Sequence, residues 1–254
     1  MHDGGDMTDS SGLEERMALV VARFAPMQRI EYQQYGLAAI EAALALDEGY
    51  FALASSRFVA LFERAVEPVY LLRDLGRACA MLGDELVATA WFEKFLVVAE
   101  PDMPAEIRLE TRVDLARFAD RRGDIDGAIA TLSDLVDELP DDSRAYLALG
   151  SYLRQRGFAV EALEVHEAAS AGDGGAISSA VLEEIGLCHL ALGRLAEAER
   201  ALAEVVRRAR CACGARVPRE TAEALATVYE RTARVQEAES LRRSVGIAPC
   251  ASHT

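Results

Sequence analysis

Between Leu109 and Gly174 the chain writes one pattern of apolar and small residues twice, thirty-four residues apart. Leu115 and Ala116 lead to Gly123, Ala128, Leu132 and Pro140; Leu149 and Gly150 lead to Gly157, Ala162, His166 and Gly174. Apolar positions within each half recur at helical spacing, and a glycine divides the half in two. The pattern predicts two helices joined by a tight turn, used as a repeating unit.

The same ruler extends outward. A turn residue recurs as Gly49, Gly83, Gly123, Gly157, Gly193 and Ala233, and a small residue five places later as Ala54, Ala88, Ala128, Ala162, Ala198 and Ala238. Both series step by 34, 40, 34, 36 and 40. Two residue types that keep one irregular spacing mark an array of stacked units. The glycines at the turns supply the positive φ that ends a helix cheaply. Gly76, Gly150 and Gly186 lie instead on first helices, where a missing side chain lets a partner helix approach. No run of alternating β-branched residues predicts a strand, and an aromatic share of 6% suits close helix packing.

The fourth unit reads Tyr146, Leu149, Gly150 and Leu153, then Ala162 and His166; the second reads Leu72, Leu75, Gly76 and Cys79, then Ala88 and Phe92. These spacings resemble the tetratricopeptide repeat (TPR) pattern W-x2-L-G-x2-Y followed by A-x3-F. The resemblance implies an all-α, right-handed α-solenoid of about six TPR-like helix-turn-helix repeats with an N-terminal helix. It covers residues 35–246, with repeats starting near 35, 69, 109, 143, 179 and 219. Glu41 and Arg242 break the apolar pattern in the first and last units, as terminal units of a solenoid must to stop stacking.

Outside the array, residues 1–11 carry Asp3, Asp6 and Asp9 with little to bury and are expected to be a disordered acidic tail. Residues 12–34 form a helical cap: Ser11 and Glu14 make a capping box, a helix is expected at about 13–25, and Pro26 marks its break from the next. Residues 247–254 are a C-terminal tail. In the connectors, Asp102 and Pro104 suit a helix start, and the glycine cluster from Ala171 to Gly175 reads as an inter-repeat turn, since it follows a helix and has no phosphate-loop lysine.

Charge changes the picture only for partners. With 27 basic against 42 acidic residues the net charge is -15, which repels a phosphate backbone, so direct nucleic-acid binding is not expected. No segment reaches the uninterrupted apolar length of a membrane span, and no secretory signal is visible, so the cytoplasm is the expected location. The five cysteines do not make a disulfide framework.

Candidate chemistry is sparse. Cys211 and Cys213, with Cys250 and His253 in the tail, are four soft ligands of the kinds that hold zinc. Their C-x-C spacing is not the usual knuckle, so they read as incidental thiols and no metal or other cofactor is expected. His166 and His189 stand where the repeat pattern has an aromatic residue and read as core histidines with satisfied nitrogens. No nucleophile and base can be paired, so no catalytic residue is named.

The resemblance implies a scaffold or adaptor that holds a segment of another protein in the concave groove lined by first helices. Mapped onto this chain, those positions include Tyr70, Arg73, Arg77 and Met81 from the second repeat, Val113, Arg117 and Arg121 from the third, and Arg144, Leu147 and Arg154 from the fourth. Six arginines on one face of an acidic chain suit an acidic segment, whose carboxylates a guanidinium fork can grip. They suit equally a face in which arginines pair with Glu110, Asp120 and the acids of neighbouring helices. Two other functions stay open: a metal- or redox-responsive regulator built on the Cys211 and Cys213 loop, and a structural protein that assembles with copies of itself through the open ends of the array.

The register has a direct test. Ala162 is expected at a helix crossing, so Ala162→Arg should cost several kcal/mol through overpacking and an unpaired buried charge. A thermal midpoint unchanged from wild type would show that the register is wrong.

Overall fold

In a computed structural model of the chain, the residues described are 10–65, 68–99, 103–172, 177–211 and 217–246. Among them the secondary structure is entirely helical. The chain divides into two compact units, residues 1–124 and 125–254.

The first unit holds α1 (Ser10–Ala22), α2 (Pro26–Tyr35), α3 (Leu37–Asp47), α4 (Phe51–Phe62), α5 (Tyr70–Met81), α6 (Glu85–Val98) and α7 (Ala105–Arg121). α3 packs on α4, α5 on α6, and α4 on α5, while α1 and α2 both lie against α3. The second unit holds α8 (Ile125–Glu138), α9 (Ser143–Gln155), α10 (Ala159–Gly172), α11 (Ser179–Ala191), α12 (Leu195–Cys211), α13 (Arg219–Arg231) and α14 (Val235–Ser244). There each helix packs on the next, with α9, α11 and α13 also touching in turn. The expected all-α architecture of consecutive helix-turn-helix pairs is the one the chain adopts.

One helix ending recurs six times along the chain. The N–H of Tyr50, Asp84, Asp124, Phe158, Arg194 and Arg234 each reaches the carbonyl five residues back, at 2.7 to 3.0 Å. These bonds satisfy carbonyls that a helix end would otherwise leave open, and the residue before the donor must be left-handed. Five of those residues are glycine; the sixth is Ala233, at φ 61°, the only non-glycine of positive φ among the described residues.

Close approach is the second requirement. Ala54, Ala88, Ala128, Ala162, Ala198 and Ala238 are all 0% exposed. A Cβ added to Gly76 would stand 2.6 Å from the Phe92 ring, one on Gly150 would stand 2.4 Å from the imidazole of His166, and one on Gly186 2.7 Å from Leu202. Real side-chain carbons do not come so near, so each glycine is required by the large side chain sixteen residues later.

Several boundaries differ in informative ways. The N-terminal helix spans Ser10–Ala22 rather than 13–25, and Pro26 opens α2, where its missing N–H costs nothing. α7 starts at Ala105, directly after Pro104. Cys211 is the last residue of α12 and not part of a loop. Arg242 is buried, its guanidinium gripped by Glu223 and Glu230 of α13, so the polar residue in the last repeat is an internal ion pair rather than a solvated face.

Ala233 tests the shared helix ending. Ala233→Gly removes the cost of a left-handed alanine and should stabilise the protein by about 1 kcal/mol, offset in part by the freer unfolded chain. The readout is an increased denaturation midpoint; a lowered one would show that the turn carries no strain.

Candidate partner-binding surface

Tyr70, Arg73, Arg77 and Met81 follow one stripe of α5 because their spacing is close to whole helical turns. Their exposure rises along that stripe. Tyr70 and Arg73 are buried, Arg77 is half-exposed and Met81 is exposed. On α7, Val113 is half-buried while Arg117 and Arg121 reach solvent. In the second unit Arg144 is exposed at the start of α9, Leu147 is half-buried, and Arg154 lies largely covered near its end.

Each of the six arginines has a carboxylate. Arg73 meets Glu110 at 2.5 Å, Arg77 meets Asp74 at 3.3 Å, Arg117 meets Asp114 at 3.3 Å and Arg121 meets Glu85 at 2.6 Å. Arg144 folds back on Asp142, whose carboxylate also accepts the Arg144 N–H as the cap of α9. Bonding to Arg144 holds the Asp142 carboxyl below its usual range. Arg154 forks onto Glu184 at 2.7 and 3.3 Å, with Glu220 at 3.8 Å.

The pairing of the arginines with the chain's own acids is the alternative the sequence left open, and Glu110 is one of the acids it named; Asp74, Asp114, Glu85, Asp142 and Glu184 it did not name. Asp74 and Asp114 sit at equivalent repeat positions, forty residues apart, each three residues before its arginine. That recurrence was a usable signal. Asp74 is buried and also accepts hydrogen bonds from the Tyr32 hydroxyl and, at 3.0 Å, from Gln28 Nε2, both on α2. Gln28 and Asp74 line, with Arg23, Asp47, Arg73 and Arg77, an open cavity of about 240 Å³ among α1, α2, α3 and α5. Burial pushes the Tyr32 phenol well up, and the Asp74 charge pushes it further.

α2 also supplies the cap that α5 does not carry itself, since Val69 at its N-terminus has no side-chain oxygen. The Glu31 carboxylate accepts the backbone N–H groups of Val69, Tyr70 and Leu71 at 3.0, 3.0 and 2.9 Å. Burial nevertheless raises the Glu31 carboxyl, outweighing these three donors.

The second unit centres on Glu184. His166 is fully buried against Gly150, yet neither ring nitrogen makes a hydrogen bond among the described residues. Nε2 stands 3.7 Å from Glu184 Oε2, inside ion-pair range but too long for a hydrogen bond, so Arg154 is the closer holder. The expectation of a satisfied core histidine is thus half right for His166. It fails for His189, which is half-buried with Nδ1 unbonded. Burial opposes ionisation of Glu184, but His166, Arg154 and Ser151 together outweigh it and lower its carboxyl to about 2.

Cys211 is exposed, while Cys79 and Cys188 are buried free thiols. Burial pushes both thiols up, Cys188 to about 11, away from thiolate chemistry. Among the described residues no group of three or more His, Cys, Asp or Glu side chains is placed to hold a metal. Cys213, Cys250 and His253 lie outside the described residues. No helix among the described residues is long and apolar enough to cross a membrane.

No protein-family model matches the sequence, and a comparison with curated proteins gives no match. Solved structures do match. A tetratricopeptide repeat protein from Parabacteroides merdae superposes with a TM-score of 0.64 at 17% identity, over 86% of this chain and 82% of that one. MamA from Desulfovibrio magneticus, residues 41 to its end, gives 0.54 at 16% identity over 70% and 93%. A protein of nearly identical TPR-like repeats from Podosopora anserina gives 0.53 at 21% identity over 71% and 94%. At these identities the likeness establishes the tetratricopeptide fold and nothing finer.

The Glu184 carboxyl dictates an acid limb of stability. Its pKa is about 2 when folded against 4.5 ordinarily, so its contribution is complete above about pH 4.5 and is lost as pH falls through about 2. Glu184→Gln should flatten that part of a stability–pH profile and, by leaving Arg154 without its fork, cost about 2 kcal/mol at neutral pH. An unchanged acid limb would show that Glu184 does not carry it.

Proposed function

We propose that this protein is a non-catalytic scaffold that binds an acidic, partly apolar segment of a partner protein along the face of its first helices, with the arginines of α5 and α7 at the centre. The cytoplasm is the compartment that suits such a role. The observation that carries the reading is the pair Arg77 and Arg117. They occupy equivalent positions on successive first helices, with side chains 49% and 66% exposed. Each touches its own aspartate through a single Nη1 at 3.3 Å.

A guanidinium has five N–H donors. One long bond to Asp74 or Asp114 leaves most of each fork open to solvent, so a partner carboxylate can bond to it in two-pronged fashion without first breaking the internal pair. Exposed Met81 and half-buried Val113 offer apolar contact on the same two helices. Arg73, Arg144 and Arg154 are more completely engaged within the chain and serve mainly to fix their helices. Negative charge elsewhere on the protein repels an acidic segment that misses these arginines, which sharpens register rather than adding affinity.

The test starts from the partner recovered from the native host. Glutamine at 77 spares the buried Asp74 a second carboxylate, so the variant of choice is Arg77→Gln with Arg117→Glu. It should weaken the partner at least about tenfold, roughly 1.4 kcal/mol, in calorimetry at low salt, with an unchanged circular dichroism spectrum. Equal binding by the double variant would refute the reading.

A further inference from the structure

The first turn and a half of α5 on this surface is already occupied, and the occupant is the chain's own α2. Tyr70 and Arg73, two of the positions expected to meet a partner, are buried in the folded chain. Glu31 closes the N-terminus of α5 through three backbone N–H groups, while Tyr32 and Gln28 converge on Asp74 one turn further along. The two sets of contacts are independent, one to backbone donors and one to a buried side chain, and both are the kind a bound helix makes.

α2 is held less deeply than the helix whose end it caps. α2 buries only Gln28 and Tyr32, whereas α5 buries nine residues, most of them apolar. Met27 and Ile30 of α2 point outward, 61% and 49% exposed. α1 carries Val20 into the core, with Leu13 and Met17 packed against it partly buried, while its polar ties to the end of α3, Arg23 on Asp47 at 2.8 and 3.0 Å and Arg16 on Glu48 at 2.9 Å, are contacts that water and salt can replace. Beside that packing an open, largely polar cavity of about 240 Å³ remains among α1, α2, α3 and α5.

The joint between α2 and α3 is one residue, Gly36, at φ 72° and ψ -160°. Residues with a side chain scarcely reach that region, and a Cβ built there would meet nothing within 4 Å. The closed arrangement therefore hangs on the backbone freedom of one glycine with open space around it.

We propose that α1–α2 is a displaceable intramolecular ligand of the α3–α5 face, and that the segment which takes its place is a helix presenting a carboxylate beside a tyrosine, as Glu31 and Tyr32 do. The proposal rests on the scaffold reading above and supplies its regulation: a partner competes with the chain's own N-terminal helices for α5.

The test needs no external partner, so its failure is separable from failure of that reading. Gly36→Pro forbids φ 72° and removes the Gly36 N–H bond to the Gln33 carbonyl, while leaving Gln28, Glu31 and Tyr32 and their partners on α5 unchanged in sequence. A fluorescent synthetic peptide of residues 10–35 is titrated by anisotropy into the full-length wild type and the full-length variant. The variant should bind at least about tenfold more tightly, since its own α1–α2 no longer competes, and the peptide carrying Glu31→Gln and Tyr32→Phe should lose that gain. Dimers of the Gly36→Pro protein in light scattering, made by exchange of α1–α2 between copies, would likewise support the proposal. Equal binding by wild type and variant without dimers, or equal binding of the altered peptide, would overturn it. Hydrogen exchange on the wild type gives a second readout independent of that variant's folding: amides of 26–35 should exchange well before those of α5 and α6, and coincident protection would also overturn it.

Discussion

The separation of two crossing helices is set by the side chains between them, and here small residues hold it short, a constraint from which the rest of this structure follows. Within the units, α4, α6, α10, α12 and α14 each carry an alanine of zero exposure, and on α5, α9 and α11 a glycine receives the side chain sixteen residues later. Packing of this kind gains dispersion energy from many short contacts and leaves no room to adjust. Once the crossing is fixed, the turn before it must reverse the chain in three or four residues, which in turn requires a left-handed residue and the bond that reaches back five positions. The small residue and the turn residue are two consequences of one geometric constraint, so they keep the same ruler along the chain.

That dependence explains why so much of the fold was legible. Gly49, Gly83 and their counterparts are local requirements, read from one residue and its spacing. Ala233 shows the limit: its place in the series gave its conformation although its identity argued against it. The polar interior was less legible. Tyr32 and Asp74 are 42 residues apart and no local pattern links an acid on one helix to a hydroxyl on another. Arg242 was read as a solvated end because an arginine in an apolar position suggests exposure; Glu223 and Glu230, nineteen and twelve residues away, reverse that inference. The arginines of the candidate surface and their pairing with the chain's own acids were both legible, but not which acid each arginine would choose: Arg117 takes Asp114 on its own helix, three residues away.

The charge pairing also decides what kind of recognition this surface can support. A stripe of unpaired arginines would attract any polyanion, whereas arginines that each hold one internal carboxylate present little net field and act mainly through the direction of their remaining N–H groups. Recognition then depends on where a partner places its oxygens more than on how many it has. The exposed pairs contribute little to stability, which leaves them free to rearrange on binding.

The same reasoning applies with more force at the start of α5. While Glu31 is in place, three backbone N–H groups are satisfied by one carboxylate; when α2 leaves, they pass to water, which replaces hydrogen bonds but not the charge at the positive end of the helix. Loss of a cap costs about 1 kcal/mol. Asp74 simultaneously loses two donors, and its remaining hold on Arg77 is long. Displacement is thus penalised at both places unless the incoming segment returns a carboxylate to one and a hydroxyl or amide to the other. A segment that supplies both regains what α2 gave; one that supplies neither must overcome the loss through apolar contact alone. Selectivity at this surface comes from the groups that α2 leaves unsatisfied when it moves away.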